Sequence, residues 1–144
     1  MHAHAARPIT VEEFRAMIRS DAPFGEFFGL DVDVIEPGHV RARHRVRPEY
    51  MRPGNIVCGP VSFTLVDFTM YALVLSLDAT AQMATTTDIS IRFLRAAPRG
   101  DLVSEGRVLK AGKRLVVCDV VIRVDGEKDT ICHATGTYSI PPKR

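Results

Sequence analysis

Tryptophan is absent from this chain of 144 residues, and cysteine occurs only three times. Cys58, Cys118 and Cys132 are an odd number, and no two of them have the spacing of zinc ligands or of a Cys-x-x-Cys redox pair. His2 and His4 are a weak metal site, because nothing in the sequence anchors that terminus. The sequence therefore predicts no metal site and favours a reducing, cytoplasmic location.

A long block of basic residues is also missing. The 19 basic and 17 acidic residues are evenly mixed, with a formal net charge of +2, so the charge pattern predicts no nucleic-acid partner. The first eight residues contain no apolar signal core, which argues against export. Because 46% of the residues are hydrophobic, the chain is long enough and apolar enough to form one globular domain.

The longest apolar run follows a loop rich in proline and glycine, begins near Pro60 and ends near Leu77. Pro60 suits the first turn of a helix, since its ring presets φ and no N–H needs a partner there. Apolar residues fall on nearly every side of this helix, as in a membrane span or a helix buried inside a protein. The run has about 18 residues, barely enough to span a bilayer, and Asp67 lies at its centre. We therefore predict a buried central helix and no membrane partner.

Asp67 is the unusual residue of this helix. A carboxylate in apolar surroundings loses its hydration, so it has to find hydrogen-bond partners or remain protonated. Thr64 and Tyr71 lie one turn before and one turn after it, and together the three side chains form a polar stripe that would face a cleft or a neighbouring subunit. The alternative is a structural aspartate that caps a loop or pairs with an arginine.

The N-terminal segment, residues 1–21, is predicted to carry a short amphipathic helix over residues 10–20, ahead of a domain spanning residues 22–144. Thr10 and Glu13 form a capping box. A hairpin follows, in which a Pro37-Gly38 turn joins two strands with alternating apolar residues. The second strand places His44 on the apolar face, where we expect a core histidine. Its other face, which we expect to be solvated rather than ligand-binding, carries four arginines: Arg41, Arg43, Arg45 and Arg47.

Four further strands are predicted after the central helix. They cover residues 83–94, 102–109, 115–124 and 130–140, and turns rich in glycine, aspartate and lysine separate them. The order is one helix, two strands, one buried helix and four strands. This order favours an α+β fold in which a curved antiparallel sheet wraps around one central helix.

These residues resemble a known family, the hotdog-fold acyl-coenzyme A thioesterases, and in particular their PaaI-like (phenylacetic acid degradation) branch. The branch has Asn, then His-Gly-Gly, then Asp on the central helix. In this chain the Asp of that motif falls on Asp67 and the first Gly on Gly59. The Phe93-Leu94-Arg95 stretch and the Gly112-Lys113-Arg114 turn are similar to further motifs of the family. The resemblance covers roughly residues 22–140.

The sequence departs from the family pattern around the start of the helix. Cys58 occupies the position of the His, Pro60 that of the second Gly and Arg52 that of the Asn, with Asn55 nearby but out of register. A Ser or Thr that positions water in some members falls on Thr86.

The resemblance implies a thioesterase mechanism with specific roles. Asp67 would act as general base or nucleophile, the Gly59 N–H would polarise the thioester carbonyl, and Thr86 would position water. Cys58 is a poor candidate for a nucleophile, because no histidine is placed to serve as its base. The rival interpretation is a non-catalytic hotdog protein that binds acyl-coenzyme A or a related small ligand.

The resemblance also implies a homodimer or homotetramer in which Asp67 faces Asn55 and Gly59 of another chain. Aromatic or short- to medium-chain acyl groups are expected, and neither a metal nor a bound cofactor is needed. The residues expected to bind the acyl-coenzyme A substrate are Asn55, Cys58, Thr64 and Tyr71, together with Arg95, Lys113 and Arg114 for the phosphates. An apolar pocket for the acyl group is expected from Phe63, Met70, Tyr71 and Val74.

Overall fold

The computed structural model describes residues 6–142, so His2 and His4 lie outside the described residues. Within these residues, three α-helices and eight strands follow in the order α1 (Val11–Asp21), α2 (Phe24–Phe27), β1 (Leu30–Glu36), β2 (His39–His44), β3 (Met51–Arg52), β4 (Ile56–Val57), α3 (Gly59–Leu77), β5 (Thr85–Phe93), β6 (Leu102–Ala111), β7 (Leu115–Val124) and β8 (Thr130–Ser139). A short 3₁₀ helix, Pro48–Tyr50, lies between β2 and β3.

Six of the strands form one antiparallel sheet in the order β1-β2-β6-β7-β8-β5. The strands β1 and β5 are its edges, and β3 and β4 form a separate two-stranded sheet in which Ile56 also makes an isolated antiparallel bridge with Pro98. The predicted α+β hotdog architecture, a curved antiparallel sheet with one long central helix, is confirmed.

Helix α3 is the core of the molecule because it packs against β1, β2 and all four later strands. Leu65, Leu73 and Leu75 are completely buried on this helix. The predicted start near Pro60 is correct to one residue, since the helix begins at Gly59 with Cys58 as its N-cap. Within residues 6–142, α3 alone is long and apolar enough to cross a membrane, and most of it is buried inside the protein, as the sequence predicted.

Helix α1 has the predicted capping box between Thr10 and Glu13. Its apolar side packs onto the domain with Phe14 almost fully buried, and Arg15 forms an ion pair of 2.8 Å with Asp31 on β1. The backbone N–H of Ile9 donates to the carbonyl of Leu75 at the end of α3, 3.0 Å away. The N-terminal segment therefore packs against the core, while the boundary at residues 21 and 22 stays a prediction.

Three short elements were not predicted, namely α2, the 3₁₀ helix Pro48–Tyr50 and the β3–β4 hairpin. Strand β2 ends at His44, so Arg45 and Arg47 lie beyond the strand on which they were expected. His44 is buried as predicted, and burial lowers the pKa of its imidazole. The outer face of the sheet is not a row of free arginines, because Arg41 pairs with Glu105 at 2.7 Å and Arg43 with Asp125 at 2.7 Å.

Candidate active site

A groove of about 860 Å³ runs along the outward face of α3. Helix α3 forms one wall, strand β5 forms the second, and the third comes from the α1–α2 segment. Most of the lining is apolar, which is typical of small-molecule sites. The lining residues are Ile18, Ala22, Phe24, Gly25, Leu30, Gly59, Pro60, Phe63, Thr64, Asp67, Phe68, Tyr71, Thr86, Ile89, Phe93 and Tyr138.

Asp67 is half-buried in this groove and has two hydroxyl partners. Thr86 on β5 donates to its Oδ1 at 2.7 Å, and Tyr138 on β8 donates to the same oxygen at 2.6 Å. The Tyr138 hydroxyl also lies 3.2 Å from the carbonyl oxygen of Asp67. In the described part of the chain, Oδ2 has no hydrogen-bond partner, so it is the oxygen available to a ligand.

Tyr138 was not predicted as a site residue. It is only 3% exposed, and burial, followed by the negative charge of Asp67, raises the pKa of its hydroxyl. A raised tyrosine pKa keeps the hydroxyl protonated, so Tyr138 acts as a neutral donor to the carboxylate. The sequence contained one signal, because alternation along β8 places Tyr138 on the buried face, where a hydroxyl needs a partner.

The predicted polar stripe of α3 does line the groove, but its hydroxyls do not bond to Asp67. Thr64 donates to the carbonyl oxygen of Pro60 at 2.8 Å, one turn earlier in the helix. Tyr71 donates to the carbonyl oxygen of Gln82 at 2.8 Å. Burial raises the pKa of Tyr71. Both side chains therefore line the groove wall, and their hydroxyls are hydrogen-bonded to backbone carbonyl oxygens.

Gly59 lies at the N-terminal end of α3, where backbone N–H groups have no partner inside the helix. It borders a second groove of about 370 Å³ as well, which continues past Phe93 towards Arg52 and Arg95. Cys58, beside it, is half-buried and makes no capping hydrogen bond with its side chain. The two grooves thus meet at Gly59 and Phe93.

The three basic residues expected to hold phosphates do not come together in one chain. Arg95 donates its backbone N–H to Ile131 at the start of β8, whereas the Arg114 side chain reaches the carbonyl oxygen of Ile140 just after its end. These two points are roughly 30 Å apart at about 3.3 Å per strand residue. Lys113 lies beside Arg114 in the β6–β7 turn, so a single cluster of all three within one chain is ruled out.

Asn55 lies in the β3–β4 turn with a positive φ of 57° and is exposed. It does not line the groove that contains Asp67. The expected apolar pocket is only partly correct, since Phe63 and Tyr71 line the groove but Met70 and Val74 do not. Both of the latter are buried, and Met70 packs against Gly136 on β8.

Residues 6–142 contain no group of three or more histidine, cysteine, aspartate or glutamate side chains that would hold a metal ion. The three cysteines are free thiols. Burial raises the pKa of Cys118 to about 12, and burial also raises that of Cys132. Neither thiol lines the groove of Asp67.

A family model described as "Thioesterase superfamily" matches residues 54–131, more than half of the chain. Among curated proteins, a candidate esterase from Saccharolobus solfataricus is 30% identical over 132 residues, which cover 92% of this chain and 86% of that protein. The segment that the family model matches, residues 54–131, includes Gly59, Asp67 and Thr86. Helices α1 and α2 and most of β8 lie outside it.

Solved structures with the same fold include a candidate thioesterase from Silicibacter sp. TM1040, which is 29% identical with a TM-score of 0.84 and 99% of both chains covered. A hypothetical thioesterase protein from Streptococcus pneumoniae, solved with coenzyme A, is 25% identical with a TM-score of 0.69, covering 80% of this chain and 88% of that one. The PaaI protein of E. coli, from the phenylacetic acid degradation operon, is 22% identical with a TM-score of 0.78, covering 91% and 92%. At that identity the last similarity concerns the fold alone.

Proposed function

The chain belongs to the thioesterase superfamily, and from that premise we propose that it is an acyl-coenzyme A thioesterase of the PaaI-like branch. The proposed substrates carry aromatic or short- to medium-chain acyl groups, and the products are the free acid and coenzyme A. A coenzyme A ligand is supported by the Streptococcus pneumoniae structure, which contains that molecule.

The observation that carries this proposal is the arrangement of Asp67. Its carboxylate lies in an apolar groove with Oδ1 fixed by Thr86 and Tyr138, and with Oδ2 free of hydrogen bonds within residues 6–142. A base or nucleophile has to be held in one orientation and yet remain accessible to the reacting atoms. Asp67 meets both conditions, whereas an aspartate that only capped a loop would have its oxygens occupied by backbone N–H groups.

Two chemical routes start from Oδ2. As a general base, Asp67 takes a proton from water while the water oxygen attacks the thioester carbonyl carbon. As a nucleophile, Oδ2 attacks that carbon itself and forms a mixed anhydride, which water then hydrolyses. In both routes the C–S bond breaks and the coenzyme A thiolate leaves and takes up a proton.

The charge that builds on the carbonyl oxygen needs a donor, and we assign this role to the backbone N–H of Gly59. It lies at the positive end of the α3 dipole, and a donor of this kind typically contributes about 3 to 4 kcal/mol to lowering the barrier. Along a helix that rises about 1.5 Å per residue, however, Gly59 and Asp67 of one chain are roughly 12 Å apart. They cannot both reach one carbonyl group, so the donor is expected to come from a second chain.

A homodimer is supported by the exposed edge of the sheet. Among residues 6–142, strand β5 pairs with β8 on one side and with no strand on the other, and most of its side chains are exposed. An unpaired edge strand is a template for pairing with another chain. Since Thr86 lies on β5, pairing of two β5 strands would bring a second chain close to Asp67.

The second groove, with Arg52 and Arg95 on its rim, continues from Gly59 and is a suitable path for the phosphate-bearing part of coenzyme A. In an assembly, Lys113 and Arg114 of another chain would add to these charges. The proposed substrate-binding residues also include Asn55, Cys58, Thr64 and Tyr71. Independence of metals and bound cofactors, assembly into dimers or tetramers and a cytoplasmic location remain part of the proposal.

The test is hydrolysis of a panel of aromatic and straight-chain acyl-coenzyme A thioesters, followed by thiol release. In the Asp67→Asn variant the side chain keeps its size but loses the base, so we expect kcat/KM to fall by about 10² to 10⁴. Asp119→Asn is the matched control, because Asp119 pairs with His133 on β8 and does not line the groove.

Equal losses in the Asp67 and Asp119 variants would contradict a specific role for Asp67. Complete loss of turnover in Cys58→Ala would instead indicate a thiolate nucleophile. If the wild-type protein hydrolysed no thioester but still bound coenzyme A tightly, the non-catalytic ligand-binding interpretation would replace the thioesterase.

A further inference from the structure

The short helix α2 carries two exposed phenylalanines, of which only one lines the groove of Asp67. Phe24 lines the groove of Asp67, whereas Phe27 does not, although their exposed fractions are similar at 57% and 68%. Each ring also contacts Phe28, with centroid distances of 4.5 Å and 5.1 Å. Phe24 therefore has one side against Phe28 and leaves the other open to the groove.

An exposed aromatic ring on the wall of an apolar groove is the usual mark of a ligand contact, because the ligand removes its surface from water. Two further aromatic side chains of α3, Phe63 and Phe68, line the same groove, and Phe68 lies next to α2 at Gly25. An apolar group in this part of the groove would be buried against several aromatic rings.

Gly25, next to Phe24, has no side chain, which allows α2 to pack closely against α1 and α3 at this end of the groove. A Cβ at this position would lie 2.7 Å from Ile18 Cγ2 and 3.4 Å from Phe68 Cε2, and both of these residues line the groove. Glycine weakens a helix by about 1 kcal/mol relative to alanine. Its presence in α2 is therefore explained by the close approach of α1, α2 and α3 at this end of the groove.

The α1–α2 wall is contributed by residues that precede the matched segment 54–131. The residues proposed for the chemistry, Gly59, Asp67 and Thr86, lie inside that segment. The residues proposed for the reaction therefore lie inside the family match, whereas the residues of the α1–α2 wall lie outside it.

We propose that the α1–α2 wall is the acyl-selecting wall of the groove for bulky apolar acyl groups, with Phe24 as the specificity-determining residue and Gly25 as the residue that lets α2 pack against Ile18 and Phe68. This inference rests on the proposed thioesterase function, because it identifies the acyl group as the occupant of the groove. Small acyl groups, which do not extend to α2, gain little from this wall.

The experiment measures binding rather than turnover, so that it stays informative if the reaction itself fails. Non-hydrolysable thioether analogues of coenzyme A, carrying a two-carbon, an eight-carbon or a phenyl-bearing group, are titrated calorimetrically into the wild-type protein and into Phe24→Ala. We expect the preference for the larger analogues over the two-carbon analogue to fall by about tenfold in Phe24→Ala. Phe27→Ala is the matched control, since it loses a similar contact with Phe28 outside the groove.

Gly25→Ala provides a second variant, in which the added methyl group is expected to push Ile18 or α2 and to weaken the larger analogues selectively. If this variant does not fold, Phe24→Ala decides the question alone. An unchanged preference in Phe24→Ala, an equal change in Phe27→Ala or no binding of any analogue to the wild-type protein would overturn the proposal. Light scattering of Phe24→Ala completes the test, because loss of the oligomer would make Phe24 an interface residue and overturn it too.

Discussion

Two hydroxyl donors on one carboxylate oxygen orient Asp67 in a single direction. Thr86 and Tyr138 both donate to Oδ1, and their elements approach Asp67 from the sheet side of α3. Hydrogen bonds to a charged acceptor are stronger than those between neutral groups. The pair therefore fixes the orientation of the carboxylate and leaves Oδ2 as the oxygen available to a ligand in the groove.

Removal of the Tyr138 hydroxyl tests this orientation. In Tyr138→Phe the ring still fills its buried site, but Asp67 loses one of two donors, so we expect kcat to fall by roughly tenfold with a smaller change in KM. Because the pKa of Tyr138 is raised, its hydroxyl stays protonated at alkaline pH, and the wild-type pH-rate profile should show no loss of rate from its ionisation.

Tyr50→Phe is the control for that experiment. Tyr50 is a half-buried tyrosine whose hydroxyl donates to the carbonyl oxygen of Phe28 at 3.2 Å, outside the groove. A similar loss of kcat in both variants would mean that a general loss of stability, and not the bond to Asp67, explains the effect.

At the scale of elements, the close contact between α3 and the sheet holds the site together. Gly106 on β6 and Gly136 on β8 have no side chain at the points where they meet α3. A Cβ on Gly106 would lie 2.7 Å from Thr69 Cγ2 and 2.9 Å from Leu73 Cδ1. This close packing keeps Asp67 within reach of Tyr138 on the strand beneath it.

Gly106→Ala is therefore expected to destabilise the fold. The added methyl group overpacks a well-filled core, which typically costs about 1 to 3 kcal/mol. Chemical denaturation should show a lower free energy of unfolding than in the wild-type protein. For Gly112→Ala, where a Cβ would lie 3.4 Å from the carbonyl oxygen of Leu115, we expect little change. Equal stability of the two variants would show that the sheet can move away from α3 without cost.

At the scale of the whole molecule, the proposed site requires two chains. Asp67 and Gly59 of one chain are separated by two turns of α3, and the strand edge at β5 is open for a partner. Each site would then combine Asp67 of one chain with the Gly59 N–H of another, as is common for isologous dimers.

Complementation between two inactive variants tests this arrangement. Gly59→Pro removes the backbone donor at a helix position that tolerates proline, after a residue that is already extended. A Cβ there would meet Phe93 Cζ at an ordinary 3.4 Å. The Gly59→Pro chain is co-expressed with an Asp67→Asn chain that carries a second tag. The heterodimers should have about half of their sites intact.

Thioester hydrolysis by the doubly purified heterodimer, at about half the wild-type rate, is the expected result. If each chain carried a complete site, both sites of the heterodimer would be defective, and no activity above that of the separate variants would appear. That outcome would contradict the two-chain site while leaving the role of Asp67 untouched.

Local patterns in the sequence determined much of this protein. The capping box of α1, the start of α3 within one residue of Pro60 and the six long strands follow from capping, periodicity and turn residues. The shared face of Thr64, Asp67 and Tyr71 follows from helix geometry alone. All of these depend on residues that are close together in the chain, so the sequence by itself is enough.

Only the tertiary structure decided which side chains meet. Tyr138 lies 71 residues from Asp67 and reaches it because β8 lies between β7 and β5, a neighbour relation set by the whole sheet. The same strand separates Arg95 from Arg114. Met70 is buried against β8, whereas Phe63, seven residues before it and on nearly the same side of the helix, lines the groove. Strand order and register depend on packing summed over distant contacts, and no short stretch of sequence contains that information.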